Sequence, residues 1–517
     1  MQIILNAIYS LAPVTVLCGA LLALALQRAT RRQLAQEKII FCISLTAHLC
    51  LLLIYLSTPY FFGLSDFSAA NVARAYLDGN PMYGTPLTNN TGHAILYGPL
   101  YFLPTLLAFK LAGVSVSAAK FSGALQYLIW LMGIVIFQFK SPASSKQESS
   151  YRLTGMLLSL GFFMPFEFCL IQIVALYALW FPIRSRIARS LAGGVAAAIA
   201  GNLRIHGFLY VLSGALDLEK RSLRDALRNL IFFFVFFVGV SSPFLFQGVS
   251  LNEYLGMLTG GVRHGFPADV IATQMCWLLI VGGAALCAAE DSKGAKHETD
   301  PVTVTLSGLS LSALFLASCK AGSGPHHLIA ALPLLLLFLS KCRFRLPQGD
   351  ILQPAAVCLS VSLAVVGTAR GAKNGYDLIR FPADALFEDI RGIANQARGN
   401  VALGFGGDQD LNWTRPGGLG RILATGFLFP KDLQIGNHTT LMDFKKSGHD
   451  LDAFVLPKIM SSRIEYLAFP KRSKPLQISS WYDETPLLTQ ATVDSFHQRY
   501  EFAYQSRFFD IYQLRHP

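Results

Sequence analysis

The sequence predicts a polytopic α-helical membrane protein of about twelve transmembrane helices, followed by a small C-terminal α/β domain outside the membrane. Three observations predict it. The 517 residues are 53% hydrophobic and only 14% charged, with a mean hydropathy of +0.44, whereas soluble proteins run near about 25% charged. The apolar residues gather in runs close to the ~20 that a helix needs to cross a bilayer. The charge is unevenly placed: residues 1–370 hold 26 Lys/Arg against 15 Asp/Glu, and residues 371–517 hold 17 against 16. That excess sits in short loops between apolar runs. It is the positive-inside pattern of a membrane protein, not a nucleic-acid patch.

Taken in order, residues 3–26 form the first span. They lack a basic leader, and Arg28, Arg31 and Arg32 follow them, so an uncleaved helix ending in the cytoplasm is expected, although Ala23-Leu24-Ala25 leaves cleavage open. Residues 39–60 return outward and deliver the loop 61–94. Spans follow at 95–113 and 118–139, and then at 153–183, broken at Pro165-Phe166-Glu167. The run 190–217 is interrupted by Asn202-Leu203-Arg204-Ile205-His206. Further spans are expected at 230–247, 270–289, 302–319, 327–340 and 352–368. Basic residues in 219–228 and 341–345 put those loops inside, so the loops 249–268 and 320–327 and the tail face out. Loop 140–152, with Lys140, Lys146 and Arg152, wants to be inside where the simplest count leaves it outside.

From 371 onward the sequence changes character. Residues 382–398 place Leu386, Ile390, Ile393 and Ala397 on one helical face. Short strands are expected at 401–405, 453–456, 464–469 and 508–514, separated by Gly- and Pro-containing turns. All nine cysteines lie between Cys18 and Cys358, which excludes a disulfide framework in the tail and any CxxC zinc site. Gly404–Asp408 has neither of the phosphate-loop spacings.

The polar residues concentrate on the outward side. The first outward loop carries Asp66, Arg74, Asp78, Tyr83 and His93 and ends in Tyr97-Gly98-Pro99. A carboxylate there can meet a membrane-borne substrate without crossing the hydrocarbon. An Asp at the start of a helix is also a favoured N-cap. Asp78, beside Gly79-Asn80-Pro81, suits a turn. Arg74 lies about two helical turns from Asp66 and suits either a surface pair or an anion. Within apolar sequence, Glu167 with Gln172, and Arg204 with His206, stand out because a charge at mid-membrane costs ~2.5–3.5 kcal/mol on insertion scales. Such residues face a protein interior or a wet cavity, and Glu167 is the obvious ion partner for Arg204. In the second outward region, Lys320-Ala321-Gly322-Ser323-Gly324-Pro325-His326-His327 offers a point charge and imidazole donors. Adjacent histidines diverge on a helix, so one of the two is expected to face a site. A two-His zinc site lacks a third ligand at recognisable spacing, so no metal is expected. Arg263-His264 suit either a phosphate or an interfacial position.

The pattern Asp66, Ala69/Ala73, Gly79, Pro81, Tyr83 and Tyr97-Gly98-Pro99-Leu100 resembles the GT-C superfamily, the membrane transferases that take a sugar from a polyprenyl phosphate carrier. It looks closest to the bacterial mannosyltransferase-like members, with Gly98 where Pro is commoner. The Lys320–His327 stretch before an apolar span is a second point of similarity. The resemblance implies that Asp66 is the catalytic acid residue, and that Arg74, Tyr83, His93, Tyr97, Glu167, Arg204, His206, His264, Lys320, His326 and His327 are candidates for substrate binding. A hydroxyl acceptor is a poor nucleophile, and a carboxylate that accepts its proton contributes ~10²–10⁴-fold. A departing phosphate needs cationic donors. The expectation is therefore an inverting-type glycosyltransferase of a bacterial inner membrane, needing no cofactor beyond its lipid-linked sugar donor and acting on a glycan or lipid acceptor. A flippase of lipid-linked saccharides and a glycan ligase are the rivals. A flippase would more often show paired broken helices, and the sequence shows no such symmetry.

Overall fold

The computed structural model describes residues 37–57, 64–83, 97–140, 166–180, 186–216, 223–246, 250–262, 264–291, 301–342, 358–359, 361–367, 369, 383–398, 400–405, 435, 438–480 and 482–515. The first expected span, 3–26, and His93 lie outside these residues.

In the apolar part, the helices are α1 (Glu37–Ser57), α2 (Leu64–Leu77), α3 (Pro99–Ala112), α4 (Val116–Lys140), α5 (Phe166–Trp180), α6 (Arg186–Leu203), α7 (Leu212–Leu216), α8 (Leu223–Phe246), α9 (Leu251–Val262), α10 (Ala268–Asp291), α11 (Pro301–Ser318), α12 (His326–Ala330) and α13 (Leu332–Lys341). A 3₁₀ turn, Ile205–Tyr210, joins α6 to α7. Among the described residues, three stretches are long and apolar enough to cross a membrane: Val116–Phe137, Ala268–Leu286 and Pro301–Ser318. Four shorter apolar helical stretches accompany them, Phe41–Ser57, Pro99–Ala112, Glu167–Trp180 and Leu230–Pro243. Their outward faces carry exposed apolar side chains such as Leu53, Leu111, Val235 and Leu279, an arrangement suited to lipid rather than water.

The break expected at 202–206 is visible, that at 165–167 falls at the edge of the described residues, and 327–340, expected as one span, is divided. The run 190–217 stops being α-helical at Arg204, whose φ of −149° and ψ of 139° are extended. The run 327–340 divides at Ala331, before Pro333, where a proline removes an interior helix donor. The stretch 249–268, expected as an outward loop, contains α9.

The tail contains α14 (Ala383–Gln396), α15 (His438–Lys446), α16 (Asp452–Met460) and α17 (Gln490–Arg499), with β1 (Val401–Leu403), β2 (Tyr466–Pro470), β3 (Tyr500–Gln505) and β4 (Phe509–Leu514). The sheet order is β1-β2-β4-β3. β1 pairs parallel to β2, β4 lies antiparallel to both β2 and β3, and the β3–β4 register shifts between Phe502 and Tyr504. A parallel pair needs a crossover, and here α15 and α16 lie within it. The strand expected at 453–456 is thus a helix. Phe454, Val455 and Ile459 are its buried residues, and a short apolar run cannot by itself distinguish strand from helix.

The two faces of the sheet serve different cores. Val401, Leu403, Ala468, Phe509 and Ile511 belong with the α14 stripe to the same contiguous core as the apolar helices. Ala402, Leu467 and Phe469 face a second core built with α15, α16 and α17. Asp389 of α14 fastens the β3–β4 turn, accepting from the Ser506 hydroxyl at 2.8 Å and from the Arg507 and Phe508 amides at 3.1 and 2.8 Å.

Candidate active site

The centre of the candidate site is the end of α6. The Gly98 amide, just before α3, donates to the Leu203 carbonyl at 3.0 Å. A Cβ at position 98 would lie 2.0 Å from the Asn202 carbonyl oxygen, and one at 207 would lie 1.9 Å from that of Ala200. Only glycine permits these two approaches. A proline at 98 would in addition forfeit the amide donor. Asn202 braces the same crossing: its amide nitrogen donates to the Ala198 carbonyl at 3.0 Å, and its oxygen accepts from the Ser241 hydroxyl of α8.

Arg204 leaves this crossing with its guanidinium packed on the rings of Tyr97 and Phe168, 4.7 Å from each centroid, a favourable cation–π placement. Its Nη1 lies 4.0 Å from Oε1 of Glu167, whose side chain is 0% exposed against 16% for the arginine. The expected Glu167–Arg204 pair is therefore present. The imidazoles of His206 and His327 stack at 5.2 Å, and Phe168 touches both His326 and His327, at 4.5 and 4.7 Å. The two adjacent histidines do not diverge: α12 begins at His326, and both rings lie against Phe168. Gln172 ties α4 to α12, its oxygen accepting from the Trp130 indole and its nitrogen donating to the Ile329 carbonyl, both at 2.8 Å. The Tyr210 hydroxyl donates to the His327 carbonyl at 3.2 Å. Among the described residues, Arg204 Nε, His206 Nε2 and His327 Nδ1 are buried without a hydrogen-bond partner, and so are both carboxylate oxygens of Glu167. Buried polar atoms are ordinarily satisfied, so this group of unsatisfied atoms points to a polar ligand.

A second group lies where the loops around Gly265 and Lys320 meet the tail. The Ala321 amide donates to the Gly265 carbonyl at 3.0 Å, joining the loop after α11 to the loop before α10. Tyr482 donates its hydroxyl proton to Asp443 Oδ1 at 2.5 Å and lies 3.2 Å from His264 Nδ1. His264 Nε2 is also 4.0 Å from Asp443 Oδ1; the His264 side chain is 4% exposed and that of Asp443 42%. Desolvation, with Lys320 and Lys446 nearby, lowers His264 to about 4. Crowding by protein raises Asp443 to about 6, opposed by the Tyr482 hydrogen bond and by Lys320. Burial also lowers Lys320, an effect that Asp443 opposes and Arg204 reinforces.

Of the other expected site residues, Asp66 falls in the first turn of α2; its side chain lies outside the described residues. α2 packs against α3 and α4, burying Ala69, Ala70, Val72 and Ala73, and leads into the turn that ends at Tyr83. Arg74 pairs with Asp78 at 3.9 Å, one helical turn on. Tyr83 is buried, donating its hydroxyl to the Tyr97 carbonyl at 2.7 Å and packing its ring 4.5 Å from Tyr254. It therefore braces Tyr97, which in turn carries Arg204. His264 is buried rather than interfacial. Sequence reasoning missed Phe168, Tyr482 and Asp443. An aromatic next to a lone membrane carboxylate was the available signal for Phe168; the other two carry none. No group of three or more His, Cys, Asp or Glu suited to a metal occurs among the described residues.

The arrangement is that of a known membrane fold. The chain is similar over most of its length to ArnT from Cupriavidus metallidurans. With the apo crystal structure the TM-score is 0.53 at 11% identity, covering 91% of this chain and 97% of that one. With the structure bound to undecaprenyl phosphate it is 0.56 at 12% identity, with the same coverage. Neither a protein-family model nor a curated protein matches the sequence.

Proposed function

We infer that this chain is a GT-C glycosyltransferase that moves a sugar from a polyprenyl phosphate carrier to a hydroxyl on a glycan or lipid acceptor. The carrying observation is the cluster at the end of α6, where Arg204, His206 and His327 present buried nitrogens without a hydrogen-bond partner, beside the Glu167 carboxylate. Such a cluster suits phosphate oxygens, and charge-assisted hydrogen bonds of this kind are the strong ones. The ArnT structure of similar fold holds undecaprenyl phosphate, which supports a carrier phosphate as the ligand.

In this reading residues 1–370 form the catalytic membrane domain, of about twelve crossings, and residues 371–517 form a domain outside the cytoplasm. The carrier enters sideways from the inner membrane. Asp66 takes the acceptor's hydroxyl proton while that oxygen attacks the anomeric carbon from the face opposite the phosphate, as the base does in inverting hydrolases. The anomeric carbon–phosphate oxygen bond breaks, and Arg204, Lys320 and His326 receive the negative charge on the departing polyprenyl phosphate. The reaction needs no metal in this scheme.

Replacing Asp66 by Asn tests the base. Transfer, read by mass analysis of envelope glycolipids and by turnover of the purified protein, is expected to fall ~10²–10⁴-fold with the helical circular dichroism unchanged. Full transfer by the Asn variant removes the base assignment. Continued lipid movement without any transfer by the native chain would make it a flippase.

A further inference from the structure

The Asp443–Tyr482–His264 group lies outside the scheme just given, yet it is built like a working part. Its members come from three distant stretches; Tyr482 and His264 are 218 residues apart. It also backs onto the loop that carries Lys320. Gly322 has a φ of +78°, and a Cβ there would meet the Tyr482 hydroxyl at 3.4 Å. The neighbouring Ala321 amide is held by Gly265, one residue from His264. The turn that presents Lys320 is thus bonded to the loop beside His264 and lies close to the tyrosine hydroxyl, which is itself held by Asp443. Asp443 favours the charged form of Lys320 and Arg204 disfavours it, while Lys446 adds positive charge near His264.

We propose that Asp443 and Tyr482 are positioning residues for Lys320, through which the C-terminal domain sets how tightly the membrane site holds the carrier phosphate. This rests on the carrier reading above. The alternative is that Asp443 is a bystander charge, and the two differ in sign. Removing a bystander anion beside an anion site strengthens phosphate binding, because like charges repel. Removing an anion that holds Lys320 in place, and keeps it charged, weakens binding.

The experiment uses the full chain in lipid nanodiscs with undecaprenyl phosphate as the probe, for the native protein and for Asp443→Asn, Asp443→Glu, Tyr482→Phe and Arg204→Ala. Asp443→Asn and Tyr482→Phe are expected to raise the Kd roughly 10-fold, the loss expected when a hydrogen bond to a charged group goes. Their melting temperatures should stay near native, and Asp443→Glu should recover most of the affinity. Equal or tighter binding by Asp443→Asn overturns the proposal. So does a loss of fold in both Asp443→Asn and Tyr482→Phe, since a seam that only holds the protein together would behave that way. If native protein and Arg204→Ala alike fail to bind the probe, the carrier reading falls and takes this proposal with it. Binding by the native chain and by both seam variants alike removes the proposal alone.

Discussion

Two acid–base contacts in this protein share a 4.0 Å separation, Glu167–Arg204 and Asp443–His264, and they behave as opposites. In the first the carboxylate is sealed and the guanidinium, packed on two rings, carries the compensating charge. In the second the base is sealed and the carboxylate keeps an open side. Distance alone therefore says little about an ion pair; what decides is which partner has lost its water. The sealed acid needs its arginine permanently. The sealed histidine is driven neutral, so the seam is held by hydrogen bonds more than by charge.

The largest effect expected from this contrast is at the first contact. Arg204→Ala leaves a buried carboxylate uncompensated and should cost about 3–5 kcal/mol, read as a fall in melting temperature in detergent. Adding Glu167→Gln should restore much of that stability without restoring binding of undecaprenyl phosphate. If the single variant melts like the native protein, the pair is not a sealed one and the contrast breaks. Gly98→Ala comes next. Its methyl meets the Asn202 carbonyl, and forcing atoms into a packed crossing costs about 1–3 kcal/mol; a native melting curve would show that the α3–α6 approach is looser than described.

The seam should show its character in pH. An acid raised from 3.8 to about 6 keeps its proton to higher pH in the fold than in the unfolded chain, so its contribution to stability is full below about 3.8 and is lost as pH rises to about 6. A base lowered from 6.5 to about 4 does the reverse: its burial penalty is full below about 4 and is relieved by about 6.5. Over that window the two slopes oppose one another. Asp443→Asn should therefore leave stability rising with pH, and His264→Gln should leave it falling, as thermal melts between pH 4 and 6.5 would reveal. Identical slopes in the two variants would dissolve the comparison. The smallest effect belongs to Lys446→Ala. Its 3.8 Å contact with Asp483 is partly solvated on both sides, so the loss should stay under about 1 kcal/mol.

Much of the membrane part was legible because hydrocarbon makes polar residues conspicuous. Arg204 and His206 interrupt an apolar run, and the helix stops there; Glu167 was named as the partner, and it is. The tail offered no such contrast. Asp443 and Tyr482 look like any polar residues of a water-exposed domain, and no local spacing announces a meeting with a histidine in a distant loop. The 453–456 stretch misled for a related reason: its apolar residues are too few to display a period. Gly98 could be recognised as a departure, but the carbonyl from α6 that crowds it is supplied only by the folded chain.

That same contact orders events during synthesis. The Leu203 carbonyl that receives the Gly98 amide belongs to a helix made well after the stretch around Tyr83 has left the ribosome. Until α6 arrives, Tyr97 is held from the upstream side, by the Tyr83 hydroxyl. A nascent chain halted before α6 would therefore carry the two rings of Tyr97 and Phe168 but not the guanidinium that packs on them.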